Sequence, residues 1–272
     1  MTVLIIDLLR AAFLYLFFTL TVFVSAQSHK RNFGQRELGF LGGGSYYIGD
    51  LNPRGHFLYS KPSLGIFYRY SFSYRYALRA GLNYGKIEAD DARSSEADQK
   101  ERNLNFTSNI YEFHTFAEFN FVEYRIGSKD HRFSLFVFGG LAAYYFNPKS
   151  SMGNGLESLR AYNTEGQTEY YRKIQMSIPF GVGFKMNLGH GAGISMEWGP
   201  RRTFTDYLDD VSGQYPNNTG QIPNTFTNRS LNESAKPGSM RGNPGTRDWY
   251  FFYGISLNFK LRDAHRPCYK TG

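Results

Sequence analysis

Residues 249–262 read Trp-Tyr-Phe-Phe-Tyr-Gly-Ile-Ser-Leu-Asn-Phe-Lys-Leu-Arg. The odd positions, Trp249, Phe251, Tyr253, Ile255, Leu257, Phe259 and Leu261, are all apolar or aromatic. The even positions begin with Tyr250 and Phe252, then turn small and polar through Gly254, Ser256, Asn258, Lys260 and Arg262. Successive side chains of a strand point to opposite faces, so this stretch reads as a β-strand with one apolar side. Helical spacing would mix the two sets.

The same period recurs elsewhere in the chain. Residues 174–188 place Ile174, Met176, Ile178, Phe180, Val182, Phe184, Met186 and Leu188 on one face, opposite Gln175, Ser177, Pro179, Gly181, Gly183, Lys185 and Asn187. Between 74 and 84, Tyr74, Tyr76, Leu78, Ala80, Leu82 and Tyr84 oppose Arg75, Ala77, Arg79, Gly81 and Asn83. Weaker copies at 37–48, 61–72, 108–124, 132–146 and 191–203 bring the expected number of strands to eight. In 132–146, Phe136 and Phe138 fall on the face expected to point inward. The connections alternate. Short links lie at Ser71-Phe72-Ser73, Ile126–His131 and Gly189-His190-Gly191, and long polar ones at 49–60, 86–106, 147–172 and 204–247. An even strand number with short turns on one side and long loops on the other is the pattern of a bacterial outer-membrane barrel. The fold expected is therefore all-β, an eight-stranded antiparallel transmembrane barrel with short periplasmic turns and long extracellular loops.

A soluble sandwich or lipocalin-like barrel shares the alternation, but its polar face is freely solvated. Here that face is rich in Gly and Ser with isolated charges, as a narrow filled lumen requires. The strands are long enough to span, since about 9–11 tilted residues suffice. Aromatic pairs such as Tyr68/Tyr70, Tyr144/Tyr145 and Trp249/Tyr250 fall at strand ends, where interfacial girdles lie.

Composition agrees. The 272 residues include 25 Phe, 21 Tyr, 2 Trp and 29 Gly, with a formal charge of +8. The single cysteine, Cys268, excludes a disulfide framework and a Cys-based zinc finger. Only residues 8–24 are continuously apolar enough to cross a bilayer as a helix, and Val24-Ser25-Ala26 follows as a small-residue cleavage pattern. The expected organisation is a signal peptide at 1–26, the barrel at 27–262 and a periplasmic tail at 263–272. A retained anchor helix is the alternative for the first segment. Basic balance in an exported chain points to anionic lipid head groups rather than nucleic acid.

With the apolar faces turned to lipid, Arg69, Arg75, Arg79, Glu112, His114, Glu118, Lys185, Glu197 and Lys260 are expected in the lumen. An eight-stranded barrel has room inside only for side chains, so these charges must pair. His114 between two glutamates also resembles a proton-transfer group. An internal salt-bridge network is the reading favoured, and a conducting pore is disfavoured by the same narrowness. An inward Gly183→Ser is expected to be milder than an outward Val182→Arg unless the lumen is tightly packed. In the loops, 88–103 mixes both charge signs, and 213–247 reads as a long mobile segment. Asp206, Asp209 and Asp210 lie close together, but they lack the glycine-pivoted spacing of a calcium loop, so a capping or turn role is expected. No catalytic residue, metal or cofactor is assigned.

Three stretches resemble the PorG outer-membrane proteins of the type IX secretion system in Bacteroidota. They are Glu37–Leu51 (ELGFLGGGSYYIGDL), Trp198–Ser212 (WGPRRTFTDYLDDVS) running on to Tyr215, and Arg241–Leu261 (RGNPGTRDWYFFYGISLNFKL), with Cys-Tyr-Lys at 268–270. The residues carrying the motifs are Asp50, Trp198, Thr203, Asp206, Tyr207, Asp209, Asp210 and Trp249. The resemblance implies an outer-membrane barrel that docks or positions a periplasmic ring of a PorK-like lipoprotein and a PorN-like partner, with gliding motility linked in some species. It also implies termini on the periplasmic side. Two other expectations remain beside it: a lipid-modifying enzyme active at the barrel rim, and a generic adhesion or stability barrel.

Overall fold

The computed structural model describes residues 34–151, 155–189, 191–217, 224–232 and 235–261. The expected signal segment 1–26, the tail 263–272 with Cys268, and Arg262 lie outside the described residues. The expected placement of the termini lies outside them too.

Ten strands run in chain order: β1 (Gln35–Ile48), β2 (Lys61–Ser71), β3 (Tyr76–Asp90), β4 (Asn105–Asn120), β5 (Phe133–Tyr145), β6 (Lys149–Ser151), β7 (Leu156–Ser158), β8 (Ile174–Gly189), β9 (Ala192–Thr203) and β10 (Trp249–Lys260). Eight of them, β1–β5 and β8–β10, pair antiparallel in succession, and β1 closes on β10 from Glu37↔Lys260 to Ile48↔Trp249. Closure leaves no open edge, so the backbone groups of the wall are satisfied within it, as lipid requires. Strands β6 and β7 form a small hairpin that touches β4 at Thr107↔Lys149.

The wall is inverted relative to a soluble barrel. Leu64, Leu135, Val182 and Ile255 are 65%, 61%, 53% and 51% exposed, whereas Arg69, Lys185 and Arg201 are exposed by no more than 1%. Apolar surface on this scale, continuous around a closed sheet, is stable only against lipid. Two aromatic rings bound it. Tyr84, Tyr111 and Tyr145 stand in file at the long-loop end, with ring centres 5.2 and 6.2 Å apart. Phe72, Tyr76 and Phe119 do the same at the short-turn end, at 6.1 and 5.2 Å. Tyr76 and Tyr84 lie eight residues apart on β3. At a rise of about 3.4 Å per residue and a tilt of about 40°, they are separated by roughly 21 Å of height, close to the apolar band of known barrels.

Three details differ from the sequence reading. Residues 86–106 are strand at both ends: Lys86–Asp90 pair with Asn109–Asn105, and Ile87 and Ala89 are buried inside. The outward face there carries Lys86, Glu88 and Asp90, because above the tyrosine ring it meets water, and the apolar alternation disappears. Second, each aromatic pair at the long-loop end is split by the pleat, so Tyr144 and Tyr250 turn inward and are buried. Third, the described parts of 213–247 are built in. Gln214 bridges to Met240, and Phe226 in the turn of helix Asn224–Thr227 is buried. Phe226 joins Leu51, Leu104, Phe106, Phe146, Leu159, Leu208 and Val211 in one apolar cluster drawn from all four long connections. The loops thus fold into a cap over the mouth. At the other end, the link after β4 tucks Tyr124 and Ile126 into the lumen beside Gly193.

Candidate functional site

The lumen is organised around Glu118 on β4. Its carboxylate lies 2.9 Å from Arg69 Nε, 3.0 Å from Arg79 Nε and 2.5 Å from Lys185 Nζ. Each guanidinium has a second carboxylate: Arg69 donates to Glu37 at 2.8 Å, and Arg79 to Glu197 at 2.6 Å. Lys185 donates also to Asn120 Oδ1 at 3.1 Å. Arg79 is sandwiched among Phe67, Phe116 and Phe138, with its guanidinium carbon 4.8, 4.9 and 5.2 Å from their ring centres. Phe136 and Phe138 therefore do face inward, as the pleat requires, and act as cation–π walls.

A second knot lies nearer the long-loop end. Glu112 accepts from Arg201 Nε at 3.1 Å, Tyr250 Oη at 2.8 Å and Asn83 Nδ2 at 2.8 Å. His114 Nδ1 is 3.3 Å from Glu112 Oε1, and its ring stacks 4.1 Å from Phe116. A general base must reach the proton it takes. His114 is buried on every side, so its geometry suits it to hold the network together. Among the described residues, the cations Arg69, Arg79, Lys185 and Arg201 meet the carboxylates Glu37, Glu112, Glu118 and Glu197, and the plug is charge-balanced.

Seven of the nine expected lumen residues are there, and two are not. Arg75 is exposed because β3 begins only at Tyr76; Ser73 Oγ accepts from the Arg75 and Tyr76 amides and makes a turn instead. Lys260 ends β10 and is exposed at the rim, its long side chain free to reach water. Sequence reasoning missed Glu37 and Arg201. Parity finds both: Glu37 shares a face with Leu41 and Ser45, and Arg201 with Glu197 and Thr203.

The motif residues gather mostly in the cap. Tyr47 donates to Asp209 Oδ2 at 2.5 Å and lies 3.0 Å from Asp248 Oδ1. Asp209 and Asp248 in turn accept the amides of Val211 at 2.9 Å and Leu208 at 2.8 Å. Asp210 accepts from Tyr171 Oη at 2.7 Å and from the Thr164 hydroxyl, and its carbonyl accepts from Arg241. Asp50 accepts the Asn243 amide at 3.0 Å, and Arg102 ties the Asp50 and Arg241 carbonyls to the Asp91 carboxylate. Thr203 Oγ1 sits 2.6 Å from the Asp248 carbonyl, and Tyr207 stacks on Tyr171 at 5.1 Å. Trp198 and Trp249 stand apart on the outer wall. Trp198 donates to Tyr46 Oη at 2.9 Å, and Trp249 packs edge-on to Phe180.

Burial pushes the Asp209 and Asp248 carboxyls well up, each raised further by a neighbouring carboxylate, Asp50 beside Asp209 and Asp209 beside Asp248. Burial likewise pushes Asp206 and Asp210 up to about 6. Among the described residues, no three His, Cys, Asp or Glu groups converge to hold a metal ion. Asp209, Asp210 and Asp248 bind amides and hydroxyls of the cap, as a capping or turn role requires.

A family model described as a domain of unknown function, DUF6089, matches residues 12–272. The chain belongs to the DUF6089 family. No curated protein matches it. Among solved structures, this DUF6089 barrel is similar to Ail, the attachment invasion locus protein of Yersinia pestis, at 11% identity and TM-score 0.42, covering 84% of this chain and 99% of that one. It is similar to the N-terminal β-barrel domain of Pseudomonas aeruginosa OprF at 11% identity and TM-score 0.37, covering 84% and 99%. Neisserial surface protein A matches at 7% identity and TM-score 0.41, covering 84% and 97%.

Proposed function

We propose that this barrel is a non-catalytic component of the type IX protein secretion machinery, anchored in the outer membrane with its short turns in the periplasm, where it docks a ring of PorK-like and PorN-like proteins. The sequence Trp198–Ser212, which resembles the PorG family, carries the assignment. The filled lumen supports it: a charge-balanced plug conducts nothing, so the barrel works through its two ends and its wall. At the short-turn end, Arg36, Arg75, Lys129, Arg132 and Lys260 are exposed around the rim, against the acids Asp130 and Glu123, the latter beside His131. A basic rim suits an acidic protein surface. Deleting the gene should stop export of type IX cargo while other outer-membrane proteins assemble normally; cargo reaching the surface at the parental level would refute the reading. A gentle detergent pull-down should recover the PorK- and PorN-like pair, and charge reversal of Arg75, Lys129 and Arg132 should lose it.

A second reading, adhesion through the long loops, is favoured by the cap, whose buried charges and shared apolar cluster make it a built surface. Removing described cap residues 235–245 should then cost surface binding and leave secretion intact.

A further inference from the structure

The outer wall carries a two-part site at the long-loop aromatic ring. Below the ring, a groove of about 620 Å³ runs along the lipid-facing side of β2–β5 and β8, lined by Leu64, Ile66, Leu82, Phe113, Ala143 and Ile174. Above it, a cleft of about 300 Å³ is enclosed where the β6–β7 hairpin leans on β4, lined by Lys86, Lys149, Asn109 and Asn147. Tyr111 and Tyr145 line both, so the two hollows adjoin. Each falls in the size range of small-molecule sites, about 300–1,000 Å³.

The charge around the cleft is uncompensated. Lys173 precedes Ile174 in the groove, and burial, followed by the nearby charges of Arg160 and Lys149, pushes its ammonium pKa down. Among the described residues, Lys86, Lys149 and Lys173 pair with no carboxylate, whereas nearby Lys61 sits 2.8 Å from Glu88. Thr107 adds a buried hydroxyl without a hydrogen-bond partner at the cleft wall. Like charges crowded at a half-buried surface are costly unless an anion joins them.

We propose that this wall holds one phosphate-bearing, multiply acylated lipid of the adjoining leaflet, its acyl chains in the Leu64–Ile174 groove and its phosphate in the Lys86/Lys149 cleft, with Lys173 beside it. A free anion would leave the groove unfilled, and a neutral lipid would leave the lysines unpaired; an anionic amphiphile satisfies both at the height where its head group must lie. The tyrosine pair, apolar below and hydroxylated above, stands at that boundary. The site does not depend on the secretion role, and its test reads purified protein only.

The experiment is native mass spectrometry of the full chain in neutral detergent, titrated with bis-phosphorylated hexa-acylated lipid A, with its dephosphorylated form, and with inorganic phosphate as competitor. One phosphorylated lipid should bind per barrel. At roughly fivefold per lysine near a membrane surface, removing one lysine is a modest loss, and the triple variant Lys86→Ala/Lys149→Ala/Lys173→Ala should bind on the order of a hundredfold more weakly. Ala143→Trp fills the groove without changing charge and should weaken both lipids. Retention of heat-shifted gel mobility verifies that each variant is a folded barrel. The proposal is overturned if the triple variant binds like the parent, if dephosphorylated lipid binds as tightly, if Ala143→Trp changes neither affinity, or if inorganic phosphate displaces the lipid at equal concentration.

Discussion

Replacing Glu118 with Ala strands the centre of the lumen. The carboxylate faces three cations, but they are not equally dependent on it. Arg69 keeps Glu37 at 2.8 Å and Arg79 keeps Glu197 at 2.6 Å, whereas Lys185 keeps only the neutral Asn120 amide oxygen at 3.1 Å. Lys185 is 1% exposed, and no water route relieves its charge. Breaking a buried pair by removing one partner costs about 3–5 kcal/mol, because the survivor is an uncompensated buried ion. Glu118→Ala should therefore lose about that much, nearly all of it through Lys185. Glu118→Gln combined with Lys185→Met keeps the volume and removes both charges, so it should recover more than half of the loss. The measurement is urea unfolding in phospholipid vesicles, with the folded fraction read from the mobility of unheated samples on detergent gels. If Glu118→Ala lies within about 1 kcal/mol of the parent, the lumen is hydrated and the argument from buried pairing fails. If the double variant is as unstable as the single one, Lys185 is not the stranded group.

The facing of β8 gives a paired test. Val182→Arg should cost about 2–4 kcal/mol at mid-bilayer. The inward Gly183→Ser meets the tightly packed lumen that was the exception to its expected mildness, since a Cβ there would stand 2.4 Å from Phe136 Cε1 and 2.5 Å from the Met196 carbonyl. Overpacking of this kind costs about 1–3 kcal/mol, and two equally neutral variants in the same urea assay would reverse the facing. In the cap, burial pushes Asp206 and Asp210 up to about 6, above the ordinary aspartate value of about 3.9, so the folded state holds protons that the unfolded chain has released. Their stabilisation is complete below pH ~4 and is lost as pH rises through about 6, with the further raised Asp209 and Asp248 extending the loss upward. Protease cleavage after Tyr207 and Tyr215 should thus be faster at pH 8 than at pH 5 after correction for the protease's own profile, and Asp210→Asn should flatten the difference. Arg102→Ala removes the fork that joins Asp91, Asp50 and Arg241, and hydrogen exchange should accelerate in 91–104 and 204–217 while β8–β10 stay protected.

The sequence by itself determined the strand number, the alternation of long and short links, and which face of each strand meets lipid. Those are local properties: a pleat of period two, read over a dozen residues such as Trp249–Leu261, has only one face fit for hydrocarbon. The same parity places Arg69, Arg79, Glu112, Glu118, Lys185 and Glu197 inside, and its ends are where it misled. Arg75 falls in a turn and Lys260 at the rim, because alternation says nothing about where a strand stops. The outer face of β3 and β4 stopped being apolar at Lys86 for a reason invisible in one dimension, which is the height of the water boundary.

Only the tertiary structure decided which charges meet. Glu118 takes Lys185 from a strand 67 positions away, and Arg79 takes Glu197 across 118. Those partners follow from closing β1 onto β10 and from the stagger of the ladders, to which every strand contributes. The cap depends still more on closure: Tyr47 and Asp209 are 162 positions apart, and the loops between them carry no period to read. Loop residues are polar or apolar one at a time, so their burial is set by the neighbours that the barrel brings to one mouth. The lysine cleft above the lipid groove has the same origin, because Lys86, Lys149 and Lys173 lie on separate segments and become a single charged surface only when β3, β4, β5 and β8 stand side by side.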